Sequence, residues 1–89
     1  MAVIVMADVQ GQTQGGYDGM ANVLFERARQ APGFVMHSAY VVDGQWRVLE
    51  VWQSKADADQ WFAKQVAPHL PTGVRPKRSL YETYSLVTP

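Results

Sequence analysis

The dipeptide Asp43-Gly44 separates two runs of strand-forming residues, 34–42 and 45–52. Asp-Gly between two such runs is a strong signal for a β-hairpin with a two-residue turn, since both central positions of that turn need a positive φ. Such a turn also fixes the register, because the last residue before it pairs with the first residue after it. The middle of the chain therefore predicts an antiparallel hairpin with a defined pairing.

Counted inward from the turn, this register places His37 opposite Glu50 and Val35 opposite Trp52, with Trp46 on the same face. A carboxylate that faces an imidazole orients the ring, and in apolar surroundings the pair can move a proton near neutral pH. His37 and Glu50 are therefore candidate catalytic residues. The alternative is an ion pair that only joins two strands, and a three-residue turn would send the two side chains to opposite faces.

Periodicity in the rest of the chain predicts the order βαββαβ. The run 2–9 is apolar on both parities, as expected of a central strand. Apolar residues at helical spacing predict one helix over 17–30 and a second between its N-cap, Ser54, and Pro68. The last strand is expected over 77–87. We therefore expect an α+β, ferredoxin-like fold with a four-stranded antiparallel sheet and both helices on one face.

The face of the sheet that the helices leave open is also apolar. A chain of 89 residues is expected to form a single domain, 1–89, and 47% of its residues are apolar. Residues of both parities are apolar: in the first strand Val3 and Val5 alternate with Ile4 and Met6, and in the second Val35, Ala39 and Val41 alternate with Phe34, Met36, Tyr40 and Val42. Burial of apolar surface contributes roughly 25 cal/mol per Å². An apolar sheet face left in contact with water would therefore lose a free energy comparable to the stability of a small domain. A homodimer joined sheet to sheet is therefore expected.

Charge and residue usage argue against several classes of function. The eight basic and eight acidic residues cancel and form no basic patch, so we expect no nucleic-acid partner. The absence of Cys excludes disulfides and thiolate chemistry and fits a cytoplasmic protein. The apolar start is too short for a membrane span, so no membrane partner is expected. His37 and His69 lie on different elements, without a carboxylate cluster, so no metal site is expected.

Three segments resemble the antibiotic biosynthesis monooxygenase superfamily of dimeric α+β barrel proteins. They are Ala31-Pro32-Gly33-Phe34, the stretch from Trp46 to Ser54, and Trp61-Phe62. The resemblance implies a protomer whose sheet pairs with that of its twin and a ligand cavity between sheet and helices. Some members oxygenate polyketide-like aromatic substrates without metal or flavin, whereas others are isomerases or degrade haem.

The haem-degrading branch of that superfamily has an Asn on the first strand, a Trp on the second helix and a His near the end of that helix. Trp61 matches the Trp, and His69 lies near the place of the His but directly after Pro68. The first strand of this chain offers Asp8 and no Asn. The resemblance therefore favours the branch that works without a cofactor over the branch that degrades haem.

Six aromatic residues are candidates for contacting a ring-shaped substrate: Trp46, Trp52, Trp61, Phe62, Tyr81 and Tyr84. Trp61 and Phe62 lie on the helix expected to roof the cavity, and Trp46 and Trp52 flank the candidate catalytic pair. Tyr81 and Tyr84 fall on opposite faces of the last strand, so at most one reaches a given pocket. Core or cross-strand packing is the alternative for each.

The remaining polar residues fit simpler roles. Tyr17 belongs to the apolar stripe of the first helix. Arg75, Lys77 and Arg78 form a solvated entry to the last strand, although one of them could guide an anionic substrate.

The sequence thus predicts a homodimeric, cofactor-free enzyme for a small hydrophobic or aromatic molecule, in which His37 removes a proton and the anion reacts with dioxygen. An isomerase or cyclase could use the same proton transfer. A non-catalytic binding or accessory protein is the alternative of another class.

Overall fold

The computed structural model describes residues 1–89. Its elements are β1 (Val3–Gln10), α1 (Gln14–Gln30), β2 (Phe34–Val42), β3 (Gln45–Trp52), α2 (Lys55–Trp61) and β4 (Arg75–Glu82). A π-helical turn, Phe62–Val66, and a short 3₁₀ turn, Ala67–His69, continue the second helix. The four strands form one antiparallel sheet in the order β2-β3-β1-β4. The predicted ferredoxin-like α+β fold is confirmed.

Both helices begin at a side-chain cap. The Thr13 hydroxyl accepts a hydrogen bond from the backbone N–H of Gly16 at 3.0 Å. The Ser54 hydroxyl accepts one from the backbone N–H of Asp57 at 3.1 Å. Each cap provides an acceptor for an N–H group that the first helical turn leaves without a partner. The first helix therefore begins directly after Thr13, earlier than its apolar stripe predicts.

The hairpin turn sets the register as predicted over most of its length. Asp43 and Gly44 have φ angles of 51° and 76°, as a two-residue turn of this hand requires. Pairing then runs from the turn inward, and His37 lies opposite Glu50.

The far end of the hairpin departs from the prediction. A β-bulge between Phe34 and Met36 makes Phe34 the partner of Trp52, so the predicted pairing of Val35 with Trp52 is wrong. The extra residue reverses the alternation of faces, and the Phe34 ring packs edge-on against Trp52 at 5.3 Å between centroids. Aromatic packing in the core therefore changes the register at this end of β2.

The last strand begins and ends earlier than predicted. It includes Pro76, which β4 accommodates because it is an edge strand. It ends at Glu82, opposite Val3, because its partner strand β1 begins there. Beyond this point the Thr83 backbone N–H donates to the Ala2 carbonyl oxygen at 2.9 Å, and Tyr84 lies outside the strand.

The hydrophobic core lies between the helices and one face of the sheet. Its buried residues are Val3, Val5, Leu24, Ala28, Trp52, Ala58 and Trp61. The opposite face of the sheet, which we call the open face, is not covered. There Met6 is 45% exposed, Tyr40 41% and Tyr81 58%. None of the helices has the length and apolar composition that crossing a membrane requires.

Candidate active site

Four side chains on the helix side of the sheet form a hydrogen-bonded chain, which we call the relay: Tyr17, His37, Glu50 and Trp52. His37 Nδ1 lies 2.6 Å from Glu50 Oε2. The Trp52 indole N–H donates to Glu50 Oε1 at 3.0 Å. The Tyr17 hydroxyl lies 2.7 Å from His37 Nε2. Both carboxylate oxygens and both imidazole nitrogens therefore have partners.

The backbone explains why these groups meet. Glu50 and Trp52 are two residues apart on β3 and so share a face. The register of the hairpin places His37 across from Glu50. Tyr17 lies in the first turn of α1, which covers this face. The structure thus brings together the predicted pair and adds a phenol at one end and an indole at the other.

Hydrogen bonding sets the orientation of the imidazole. A carboxylate can only accept, so His37 Nδ1 carries the proton that faces Glu50. In a neutral imidazole, Nε2 is then the basic atom and accepts the Tyr17 hydroxyl proton. The Tyr17 oxygen keeps its lone pairs free for a further donor. The arrangement can therefore pass a proton inward, from a donor beside Tyr17 to the imidazole.

The pKa of Tyr17 lies above the ordinary tyrosine value of 10.0. Burial is the largest cause, and the negative charges of Glu50 and Asp18 add to it. Each of these disfavours the phenolate. At neutral pH Tyr17 is therefore a protonated hydroxyl and not a base.

This raised pKa predicts how stability changes in alkali. The folded chain holds the Tyr17 proton more tightly than the unfolded chain does, so the contribution to stability is complete below pH 10.0 and is lost as pH rises through the raised pKa. Subtracting the ultraviolet titration of Tyr17→Phe from that of the wild type should give a curve centred above pH 10.0. A difference curve centred at or below that pH would contradict the assignment.

A cavity of about 110 Å³ lies between α1, the sheet and the π-helical turn. Its floor includes the small residues Ala7 and Val48, and Phe62 and Val66 of the π-helical turn line it from the other side. The polar residues that line it are Gln12, Tyr17, His37, Glu50 and Arg78. An apolar cavity with a few convergent polar groups is the usual form of a small-molecule site.

Two of the six aromatic candidates line this cavity, Trp61 and Phe62. Trp61 also belongs to the core and packs 5.8 Å from Trp52. Phe62 begins the π-helical turn, in which backbone hydrogen bonds skip one residue more than in an α-helix. Such turns are frequent at functional sites.

Trp46 and Trp52 do not line the cavity. Trp46 stacks on the Tyr17 ring at 5.2 Å between centroids and supports that ring from the side. Trp52 is fully buried, and its N–H holds the Glu50 carboxylate. Both residues therefore contact members of the relay, not the cavity.

The last two candidates lie away from the cavity. Tyr81 pairs with Ile4 on the open face, and Tyr84 is fully exposed. His69 is also exposed, and its Nδ1–H donates to the Gln65 carbonyl oxygen at 2.7 Å. The structure contains no group of three or more His, Asp or Glu residues arranged to bind a metal ion.

Sequence reasoning missed Tyr17 as a residue of the site and considered Arg78 only as one of three cations that could guide a substrate. Tyr17 is the first member of the apolar stripe of α1. This position was the only indication in the sequence that Tyr17 belongs to the site, because the hydroxyl of a buried tyrosine needs a hydrogen-bond partner. Arg78 was assigned to a solvated strand entry, with guidance of an anionic substrate as the alternative for one of the three cations there; its side chain is only 20% exposed and lines the cavity.

No protein-family model and no curated protein matches this sequence. Several solved structures are similar to the chain. SnoaB, a cofactor-independent oxygenase from Streptomyces nogalater, aligns with a TM-score of 0.74 at 14% identity over 99% of this chain and 98% of that chain. Rv0793 from Mycobacterium tuberculosis aligns with a TM-score of 0.68 at 13% identity over 99% and 100%. An antibiotic biosynthesis monooxygenase gives 0.61 at 18% identity over 98% and 100%.

At identities this low, the alignments show a shared backbone fold. The chemistry has to be argued from the residues of the site itself. The chain has the fold of the antibiotic biosynthesis monooxygenase proteins, as its sequence resemblance predicted.

Proposed function

We propose that this chain is a cofactor-independent oxygenase that removes a proton from a small aromatic or polyketide-like substrate, whose anion then reacts with dioxygen. The observation that carries the proposal is the relay, since a base oriented by a carboxylate borders an apolar cavity. Similarity in fold to SnoaB, a cofactor-independent oxygenase, supports it.

The proton would travel along the relay. An acidic O–H of the substrate donates to the Tyr17 oxygen while the Tyr17 proton passes to His37 Nε2, 2.7 Å away. The resulting imidazolium is stabilised by the Glu50 carboxylate at Nδ1. Trp52 holds the other carboxylate oxygen and so keeps the base in place. The substrate is left as an electron-rich anion in apolar surroundings.

The reaction with dioxygen balances without a further reductant. In a phenol with a free para position, one atom of dioxygen replaces the para hydrogen and forms the second carbonyl of a quinone. The other oxygen atom leaves as water with the phenolic and para hydrogens. Dioxygen is reduced and the ring is oxidised, so the protein has only to move protons and hold the ring.

Oxygen uptake tests this proposal. The protein is incubated with a panel of single-ring and fused-ring phenols in an oxygen electrode, and quinone is measured in parallel. We expect oxygen consumption above the protein-free rate, with one quinone formed per dioxygen. Product that forms equally well under nitrogen would instead identify an isomerase or cyclase, which shares the proton transfer but needs no oxidant.

One observation favours a second candidate, a non-catalytic binding or accessory protein. The imidazole and the carboxylate have all their partners within the chain, as a purely structural tie would. In that case His37→Ala lowers the melting temperature strongly and leaves ligand binding unchanged. An intact fold with lost turnover would instead support the oxygenase.

We further propose that two copies associate through the open face. Met6, Tyr40 and Tyr81 expose a large part of their side chains on this face, and exposed apolar surface of this kind marks an interaction site. The face lies opposite the cavity, so association leaves the site of each protomer intact.

A charge placed on the open face should separate the copies. We expect Met6→Lys to sediment as a monomer while the wild type sediments as a dimer of 10.0-kDa chains, because an unpaired ammonium is costly to bury. Val23→Lys is the matched control, since Val23 is 44% exposed on α1 and should leave the dimer unchanged. A wild-type protein that is monomeric at micromolar concentration would contradict the proposal.

A further inference from the structure

Arg78 places a cation on the wall of an otherwise largely apolar cavity. It lies on β4 opposite Ala7, on the helix side of the sheet, and its side chain is 20% exposed. Its guanidinium makes no hydrogen bond to another residue of the chain. Its Nη2 forms a loose ion pair with Asp59 Oδ1 at 3.7 Å, which is longer than a hydrogen bond. The donors of Arg78 are therefore available to a ligand.

Two neighbours hold Arg78 without using those donors. The guanidinium carbon lies 4.2 Å from the centroid of the Phe62 ring, so one flat face of the group packs on Phe62. Asp59 pairs with Arg78 through Oδ1, while its Oδ2 accepts a hydrogen bond from Lys55 at 2.7 Å, so the two cations share one carboxylate. A guanidinium fixed by its face and free along its N–H edge is suited to bind a carboxylate through two parallel hydrogen bonds.

The relay and Arg78 approach the cavity from opposite edges of the sheet. His37 is on β2 and Arg78 is on β4, the two outer strands. Three inter-strand spacings of about 4.8 Å separate the strand axes by about 14 Å, and both side chains reach inward to the same cavity. The floor between them includes Ala7 and Val48, whose small side chains leave room for a flat molecule.

The size of the cavity limits what can lie between these groups. Its volume is about 110 Å³. An engineered protein cavity of about 150 Å³ binds benzene, so a smaller space of about 110 Å³ leaves room for at most one ring.

We propose that the substrate is a single-ring phenol with a carboxylate meta to the reacting hydroxyl, which leaves the para position free, and that Arg78 binds the carboxylate. The assignment rests on the proposed function in one respect, because the relay is taken to receive the hydroxyl. It narrows the substrate class by the size of the cavity and by the positive charge of Arg78.

Binding measured by calorimetry under nitrogen tests the assignment apart from turnover. The probes are 3-hydroxybenzoate and 3-hydroxybenzamide, which have nearly the same shape and differ in charge. We expect the wild type to bind the benzoate at least about tenfold more tightly, as loss of a charged hydrogen bond implies. Arg78→Gln should abolish this preference. Arg75→Gln, an equal change of charge at an exposed residue of the same strand, should keep it.

Three outcomes would overturn the assignment: equal affinity of the wild type for the two probes, a preference that survives in Arg78→Gln, or no binding of either probe. The comparison of probes on the wild type needs no variant, so a poorly folded Arg78→Gln does not block the test. Failure of the oxygenase proposal looks different. The benzoate would still bind preferentially, but no phenol would consume oxygen.

Discussion

His37→Gln should lower the rate of oxygen consumption by about 10²- to 10⁴-fold, the usual contribution of a positioned general base. Glutamine can still hydrogen-bond to Glu50 and Tyr17, but it cannot take up a proton near neutral pH. The rate is measured at saturating substrate, so that weaker binding is not mistaken for slower chemistry.

The matched control is His69→Gln, the same substitution at an exposed histidine that does not line the cavity. It should keep the wild-type rate. Melting temperatures of both variants separate loss of chemistry from loss of fold. A folded His37→Gln protein with the wild-type rate would show that the relay only joins strands.

Trp52→Ala should lower the free energy of unfolding by about 3–5 kcal/mol, the upper range for removal of a buried aromatic residue. Trp52 is fully buried, and its ring packs against Phe34 and Trp61 at 5.3 and 5.8 Å. Its loss also removes the N–H that holds Glu50 Oε1. Small domains have a total stability of only about 5–15 kcal/mol, so this loss is a large share of the total.

Denaturant unfolding measures this loss. Trp46→Ala is the comparison, because Trp46 is only partly buried and contacts the Tyr17 ring, not the core. It should lose clearly less stability than Trp52→Ala. Equal losses in the two variants would contradict the placement of Trp52 at the centre of the core.

Local signals in the sequence were sufficient to predict most of the fold. Asp43-Gly44 requires a two-residue turn, and the turn alone determines that His37 faces Glu50. Ser54 marks the start of the second helix through a single hydrogen bond to the nearby backbone. These features depend on residues a few positions apart, so a single sequence reveals them.

Features that depend on distant contacts were not predicted. The bulge before Met36 follows from packing of Phe34 on Trp52, and the end of β4 follows from where β1 begins. The contact between Tyr17 and His37 depends on how α1 lies across the sheet. Periodicity identifies the buried stripe of a helix but not the atom that the tip of each side chain meets.

The central claim is that the relay takes a proton from a phenol bound in the cavity, and the ionisation of bound 4-nitrophenol tests it most directly. Its phenolate is yellow, so absorbance reports the ionised fraction without any turnover. We expect binding to the wild type to shift the ionisation of this phenol to lower pH, and His37→Gln to remove the shift. A bound phenol that ionises at the same pH in both proteins would contradict the account.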